Sequence, residues 1–421
     1  MLCGLSGSSI NYFFMRILVV TQYFWPENFR INDLVSELIK KGHNVTILTG
    51  LPSYPNMEVY EKYIQDKIKY NSFNGAKIIR VPIVTRGNAG LKLILNYISF
   101  FLSASTIGVY KLRKLEFDSI FVFEPSPITV GIPAIILRRL KKAPLIFWVL
   151  DLWPETLEAV GIIKSKLILE AIGRIVSTIY KRCDLILGQS KSFISHIMRR
   201  SGNTRVEYFP GWAESILETK ISNNIVNKNK VFNITFTGNI GKSQDFPSII
   251  SAIEILKNNN KIHWTIVGDG RYFKWLKREI TEKKLNNRVT LAGRHPIENM
   301  PRFFNEADAL LVSLKDEPIF SLTIPGKIQA YLSTGKPILG MLNGEGARIL
   351  KESNSGLVCN SGDSKSLVQN INKLSNMSIH ERFKIGLNGI NLSSREFDRD
   401  ILINKLESWM SELVSDNLII K

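Results

Sequence analysis

The sequence predicts an α/β protein built from two Rossmann-like, doubly wound domains, and three observations predict it. Apolar runs of four to six residues alternate with helix-period stretches along nearly the whole chain. The alternation breaks at residues 211–230 (GWAESILETKISNNIVNKNK), where the chain turns polar and rich in Asn and Lys. The 421 residues, 44% hydrophobic and 10% aromatic, supply apolar side chains for two cores of ordinary size.

Taken in order, RILVV at 16–20 is a buried strand, and YFWPEN at 23–28 is the loop leaving it. Ile31, Leu34, Val35, Leu38 and Ile39 recur at helical spacing, and Gly42 ends that helix. Residues 45–49 form the second strand, which makes a βαβ start and implies a parallel sheet. Further strands are expected at 77–81, 119–123, 145–150 and 185–188. After the break come strands at 233–237, 263–267, 288–291 and 309–312, with helices at 246–257, 271–284 and 300–307 between them. The stretch 315–341 (KDEPIFSLTIPGKIQAYLSTGKPILGM) reads as loop, short helix and strand. Thr323 is its expected capping hydroxyl and Pro325 lies in the first turn. Ile324, Ile328, Tyr331 and Leu332 share one face, Gly335 is a left-handed stop, and residues 337–341 are the next strand. A last helical pattern covers 398–413. The domains expected are therefore 15–210 and 231–397, with 211–230 as linker, 398–421 as a tail helix and 1–14 as a disordered or non-native extension before a start at Met15.

The net charge is +18. Residues 1–200 hold 26 Lys+Arg against 14 Asp+Glu, and residues 201–421 hold 29 against 23. Basic excess suits nucleic acid, an anionic membrane or anionic substrates, and no nucleic-acid motif supports the first. The pairs Arg138-Arg139, Lys141-Lys142 and Arg199-Arg200 read as solvated helix ends. The three cysteines lie far apart, with no disulfide or metal-ligand spacing, which fits a reducing cytosol, and no export signal is evident. Residues 93–110 carry no charge and are flanked by Lys92, Lys111, Arg113 and Lys114. Eighteen residues interrupted by Asn96, three serines and Thr106 suit a helix packed on the domain with some interfacial membrane contact, not a transmembrane span.

In open parallel sheets ligands bind beyond the carboxyl ends of strands. In the second half those positions hold Gly238, Asn239 and Gly241 with Lys242, then Gly268 and Asp269, then Gly293 and Arg294, then the 315–341 stretch with Glu317, Ser321, Leu322, Thr323, Ile324, Pro325 and Lys327. Glycine loops, cations and a helix N-terminus gathered on one edge describe a nucleotide-diphosphate site. In the first half the loops present Pro26, Glu27 and Asn28, then Tyr54, then Asp151, Trp153 and Glu155. Aromatic faces beside carboxylates suit a sugar, although tryptophans packed in a core beside a capping aspartate would give the same pattern.

With these motifs in this order, the chain resembles the GT-B glycosyltransferases of family four. The resemblance rests on QYFWPENFRINDL, TGLPSYP, VLDLWPE, FTGNIGKSQ and SLTIPGKIQAYLSTGKPIL and runs nearly the whole length from Met15. It is closest to bacterial O-antigen, capsule and colanic-acid transferases, in a subgroup similar to N-acetyl-L-fucosamine transferases. The resemblance implies two domains facing a cleft, a tail helix crossing back to the first domain, and no metal or other cofactor. It implies a UDP-sugar donor and a polyprenyl-diphosphate-linked saccharide acceptor at the cytoplasmic membrane face, with no nucleic acid. Lys242 and Lys327 would stabilise the leaving diphosphate and Asp151 would touch the acceptor or reacting sugar. The departures are specific. Asn239 and Gln244 stand where the family has arginine and lysine, Ala330 stands in place of a ribose-binding glutamate, and Leu150-Asp151 replaces a histidine. A non-hydrolysing UDP-sugar 2-epimerase and a non-catalytic GT-B binding protein are the rival expectations.

Overall fold

Each apolar run becomes a parallel strand, and each helix-period stretch packs its apolar stripe on a sheet. The computed structural model describes residues 14–54, 57–86, 91–159, 161, 163–213 and 231–419. Residues 1–13 of the expected extension and 214–230 of the expected linker lie outside them.

The first sheet contains β1 (Arg16–Val20), β2 (Asn44–Gly50), β3 (Ser72–Phe73), β4 (Ala76–Val81), β5 (Ser119–Glu124), β6 (Leu145–Val149), β7 (Leu185–Gly188) and β8 (Arg205–Tyr208). Their order is β3-β4-β2-β1-β5-β6-β7-β8, parallel apart from the β3–β4 hairpin. Its helices are α1 (Arg30–Lys40), α2 (Met57–Gln65), α3 (Leu91–Ser103), α4 (Val109–Leu112), α5 (Gly131–Lys141), α6 (Glu155–Ala159), α7 (Lys166–Tyr180) and α8 (Lys191–Ser201). The second sheet contains β9 (Phe232–Thr237), β10 (Ile262–Val267), β11 (Val289–Gly293), β12 (Ala309–Ser313), β13 (Ile338–Met341) and β14 (Gly356–Cys359), in the order β11-β10-β9-β12-β13-β14. Its helices are α9 (Phe246–Ile255), α10 (Phe273–Glu282), α11 (Met300–Glu306), α12 (Pro318–Leu322), α13 (Gly326–Leu332), α14 (Gly344–Glu352), α15 (Ser364–Asn376) and α16 (Ile379–Glu396).

The chain then returns. After a break at Phe397-Asp398, α17 (Arg399–Ile419) packs Leu402, Ile403, Leu406, Trp409, Met410 and Val414 into the core beneath α1. Ion pairs fix its position: Arg399 to Asp33 (3.3 Å), Lys41 to Glu407 (3.1 Å) and Arg205 to Glu412 (2.9 Å). Two doubly wound sheets with this returning helix make the GT-B fold.

The uncharged stretch divides into α3, a π-helical turn at Ala104–Gly108, and α4. Phe100, Ala104 and Leu112 enter the core, whereas Ile94, Leu95, Ile98, Leu102, Ile107 and Tyr110 stay exposed. The basic helix ends are not merely solvated. Arg138 pairs with Asp184 at 2.6 Å, and Lys141 Nζ donates to the carbonyls of Leu112, Arg113 and Leu115. Its ammonium thereby caps carbonyls left open at the end of α4.

Candidate active site

Strand order reverses between β1 and β5 in the first sheet and between β9 and β12 in the second, so ligand space is expected beyond those carboxyl ends.

On the first sheet the cluster begins with Glu124, the last residue of β5. It is fully buried, and its Oε2 accepts the amides of Leu150 (3.4 Å) and Asp151 (3.3 Å). Ser126 accepts Trp153 Nε1 at 3.0 Å and is hydrogen-bonded to Asp151 and Tyr97. Asp151 is partly exposed as a residue while its carboxyl is enclosed by protein. Burial pushes that carboxyl up to about 7, opposed by the bond from Ser126. Burial also holds Glu124 well above the carboxylate range, and the charge of Asp151 adds to the effect. Two carboxyls this close do not both ionise readily, so a proton is available here near neutral pH.

Beside them Gln22 Nε2 donates to Asn96 Oδ1 of α3 at 2.7 Å. Tyr23 stacks on Phe29 with centroids 5.3 Å apart, and Arg86 Nη1 donates to the Tyr23 hydroxyl at 2.6 Å. The Arg86 guanidinium also lies 5.0 Å from the ring of exposed Tyr54. This is an amphipathic rim of aromatic faces and hydrogen-bond donors.

On the second sheet the loops leaving β9 and β10 touch through backbone. Gly268 has φ +142°, and a Cβ there would stand 1.9 Å from the carbonyl oxygen of Gly238. Only glycine permits this approach. Gly238, at φ +118°, in turn faces Lys327, whose Cε would lie 2.9 Å from an added Cβ. Lys327 Nζ donates to Gln244 Oε1 and sits 3.6 Å from the centroid of the Phe236 ring. Lys327 is partly exposed as a residue, but its amino group is enclosed, and burial lowers its ionisation well below the usual range. Tyr331, one turn further along α13, ties that helix to β9 by accepting the Thr237 amide at 3.0 Å.

The two faces are in contact. Ser190 Oγ donates to the Leu322 carbonyl at 2.5 Å, Ser192 Oγ to Glu345 Oε2 at 3.1 Å, and Arg30 Nη2 to Gln329 Oε1 at 3.2 Å. Ile319 of α12 is buried within the first domain's core. A pocket of about 630 Å³ spans the gap between Asn28 on one side and Arg294, His295 and Met300 on the other.

Residues 218–391 match the family of glycosyl transferases group 1. The match falls mostly on the second domain, which is similar to group 1 glycosyltransferases. Among its curated relatives, the probable glycosyltransferase WbjE of Pseudomonas aeruginosa is 25% identical over 68% of this chain and 74% of its own length. The putative colanic acid biosynthesis glycosyl transferase WcaI of Escherichia coli K12 is 24% identical over 76% of this chain and 82% of its own. Of solved structures, Anabaena HepE in complex with UDP and glucose superposes with a TM-score of 0.68 at 15% identity, covering 94% of this chain and all of that one. WaaG, a glycosyltransferase of lipopolysaccharide biosynthesis, gives 0.65 at 14% identity over 94% and 99%. These structural likenesses carry the GT-B fold.

The structure brings together Gly238, Asn239, Gly241, Gly268, Asp269 and Lys327 on one edge, with exposed Lys242 on the adjacent turn. Several sequence expectations are corrected. Thr323 does not cap the helix of Lys327. A separate one-turn helix, α12, starts after Glu317 with Pro318 at its first position and ends at Thr323, whose Oγ1 donates to the Ile319 carbonyl. Pro325 is the N-cap position of α13 rather than part of its first turn. The Ile324 side chain is core, and Ser321 packs its backbone against Gly344. Glu27 is buried with both oxygens occupied by the amides of Phe24, Ser53 and Tyr54, so it fastens two loops and offers no acceptor contact. Pro26 beside it is half-buried. Trp153 is 7% exposed and belongs to the core. Glu155 pairs with Arg200 at 2.9 Å and lines a separate groove between α6, α7 and α8.

Sequence reasoning missed Glu124, Ser126, Tyr97, Gln22 and Arg86. Glu124 carried a usable signal, a carboxyl closing an apolar run (SIFVFE) at the strand end where ligands gather. Among the described residues no three His, Cys, Asp or Glu side chains converge as a metal site would require.

Proposed function

We propose that this glycosyltransferase moves a sugar from a UDP-sugar, held by the second sheet, to a lipid-linked saccharide met by the first sheet. The setting is the cytoplasmic membrane face, in assembly of a bacterial surface polysaccharide such as O-antigen or capsule. The observation that carries the reading is the Gly238–Lys327 cradle at the reversal of the second sheet. Its glycine backbone admits close approach, and it holds one enclosed amine. The relatives WbjE and WcaI support polysaccharide assembly, and HepE, solved with UDP, supports the nucleotide. UDP-N-acetyl-L-fucosamine is the donor suggested by the subgroup resemblance.

As the glycosidic bond breaks, negative charge grows on the departing diphosphate. Lys327, with exposed Lys242 and Arg294 on the loops leaving β9 and β11, stabilises that charge electrostatically. Asp151, partly ionised near neutral pH, accepts a hydrogen bond from the acceptor hydroxyl or the reacting sugar. The exposed apolar residues of α3 rest on the bilayer and bring a lipid-linked acceptor to the same face that Asn96 and Tyr97 reach from within. Thermal-shift measurement against UDP, ADP, GDP and CDP tests the donor. UDP is expected to raise the melting temperature most, and stabilisation by another nucleotide but not by UDP would overturn the assignment.

A further inference from the structure

Lys327 differs from the partly buried Lys141. An ammonium carries three N–H donors and no acceptor. Lys141 satisfies all three with backbone carbonyls. Among the described residues Lys327 Nζ has one hydrogen-bond acceptor, the neutral amide oxygen of Gln244, and one ring face, Phe236. The groups packed on it from β9, Phe236 and Gly238, carry no charge. Gln244 from the 242–244 turn carries none either, and the Lys242 side chain on that turn is exposed. Arg30, reaching α13 from the first domain, binds Gln329 and adds no negative charge. Asp269 on the neighbouring loop gives its Oδ1 to the Gly270 amide. Burial lowers the ionisation of Lys327, and among the described residues its amine makes no hydrogen bond or ion pair with Asp245 or Asp269. The ring face favours a cation, but one ring and one amide replace little of an ammonium's hydration.

We propose that Lys327 is a neutral amine in the empty cleft and takes one proton from solvent when the donor's diphosphate arrives. The ligand thus creates the charge that later stabilises it. One N–H bond forms at Nζ, and the proton comes from water through the buffer. The inference rests on the donor reading and deepens it. The empty cleft then avoids an uncompensated buried charge, and donor affinity becomes linked to pH.

The test is titration calorimetry of the full chain with UDP at pH 8 and 9, in buffers of different ionisation enthalpy. At these pH values the phosphate itself is fully ionised, its second ionisation lying near 6. The expected result is uptake of up to about one proton per UDP, with Kd rising by as much as about tenfold per pH unit where coupling is complete. Lys327→Met should lose the buffer dependence. Lys327→Arg, permanently charged, should bind UDP without proton uptake, and Gln244→Glu should do the same by keeping Lys327 charged. UDP binding with buffer-independent heat in the wild type at both pH values overturns the inference and leaves the donor reading intact. Absence of any UDP binding overturns both.

Discussion

At the scale of single residues, the site is built by enclosing groups that water would otherwise hold. Lys327→Ala should lower turnover by roughly 10²–10³, the usual scale for removing one donor aimed at developing charge. Steady-state transfer by a normally folded variant at the wild-type rate would remove Lys327 from the chemistry. Asp151 makes a separate, structural prediction. A carboxyl raised from 3.8 to about 7 on folding contributes stability that is complete below its unfolded range and is lost as pH rises through 7. Asp151→Asn should therefore gain stability over wild type as pH goes from 5 to 8, by about 1.4 kcal/mol at most for each unit of displacement. Denaturant midpoints across that range check it, and a difference independent of pH contradicts it. Asp151 was legible because it follows an apolar strand beside aromatics. Glu124 was not, because an acidic residue after FVF was taken as the strand's end rather than its last buried position. Thr323 misled because Thr-x-Pro has the form of a helix start, while Glu317-Pro318 six residues earlier begins a turn of its own.

At the scale of elements, α3 is the piece with two faces. Its inner side gives Asn96 and Phe100 to the protein, and its outer side leaves Ile94, Leu95, Ile98 and Leu102 exposed. Such a helix flanked by cations binds anionic bilayers through apolar burial plus a salt-sensitive charge contribution. Co-sedimentation with anionic vesicles should be strong at low salt and weaker at high salt. The pair of exposed substitutions Ile98→Glu and Leu102→Glu should abolish it without unfolding the chain. Binding at neither salt, or release only by detergent, contradicts peripheral attachment. The long buried strands and their order along the chain were readable from periodicity. β8 and β14 were not, since Arg205–Tyr208 is a polar edge and Gly356–Cys359 is a half-buried four-residue strand. Short edges bury too little to leave a pattern.

At the scale of the whole molecule, the two sheets are joined by α12 on one side and α17 on the other. The resemblance made the returning helix legible. The embedding of Ile319 in the first domain was not, because a contact between domains leaves no period in the sequence. A donor and an acceptor held on separate domains, as proposed, would have to be brought together with water excluded, which calls for closure. Spin labels at Lys62→Cys and Lys274→Cys, in a chain with its native cysteines replaced, should report a narrower and shorter distance with UDP. Ile319→Asp should widen the distribution. One unvarying distance with UDP, UDP-sugar and acceptor alike would end the closure hypothesis. The transfer itself is tested most directly by incubating the chain and membrane vesicles with radiolabelled UDP-sugars, with and without a polyprenyl-diphosphate-linked saccharide. Label should pass into the organic-extractable acceptor only when that acceptor is present, and Lys327→Ala should nearly abolish the passage. Release of free sugar, epimerised nucleotide sugar, or no turnover of any UDP-sugar in the presence of acceptor would contradict it.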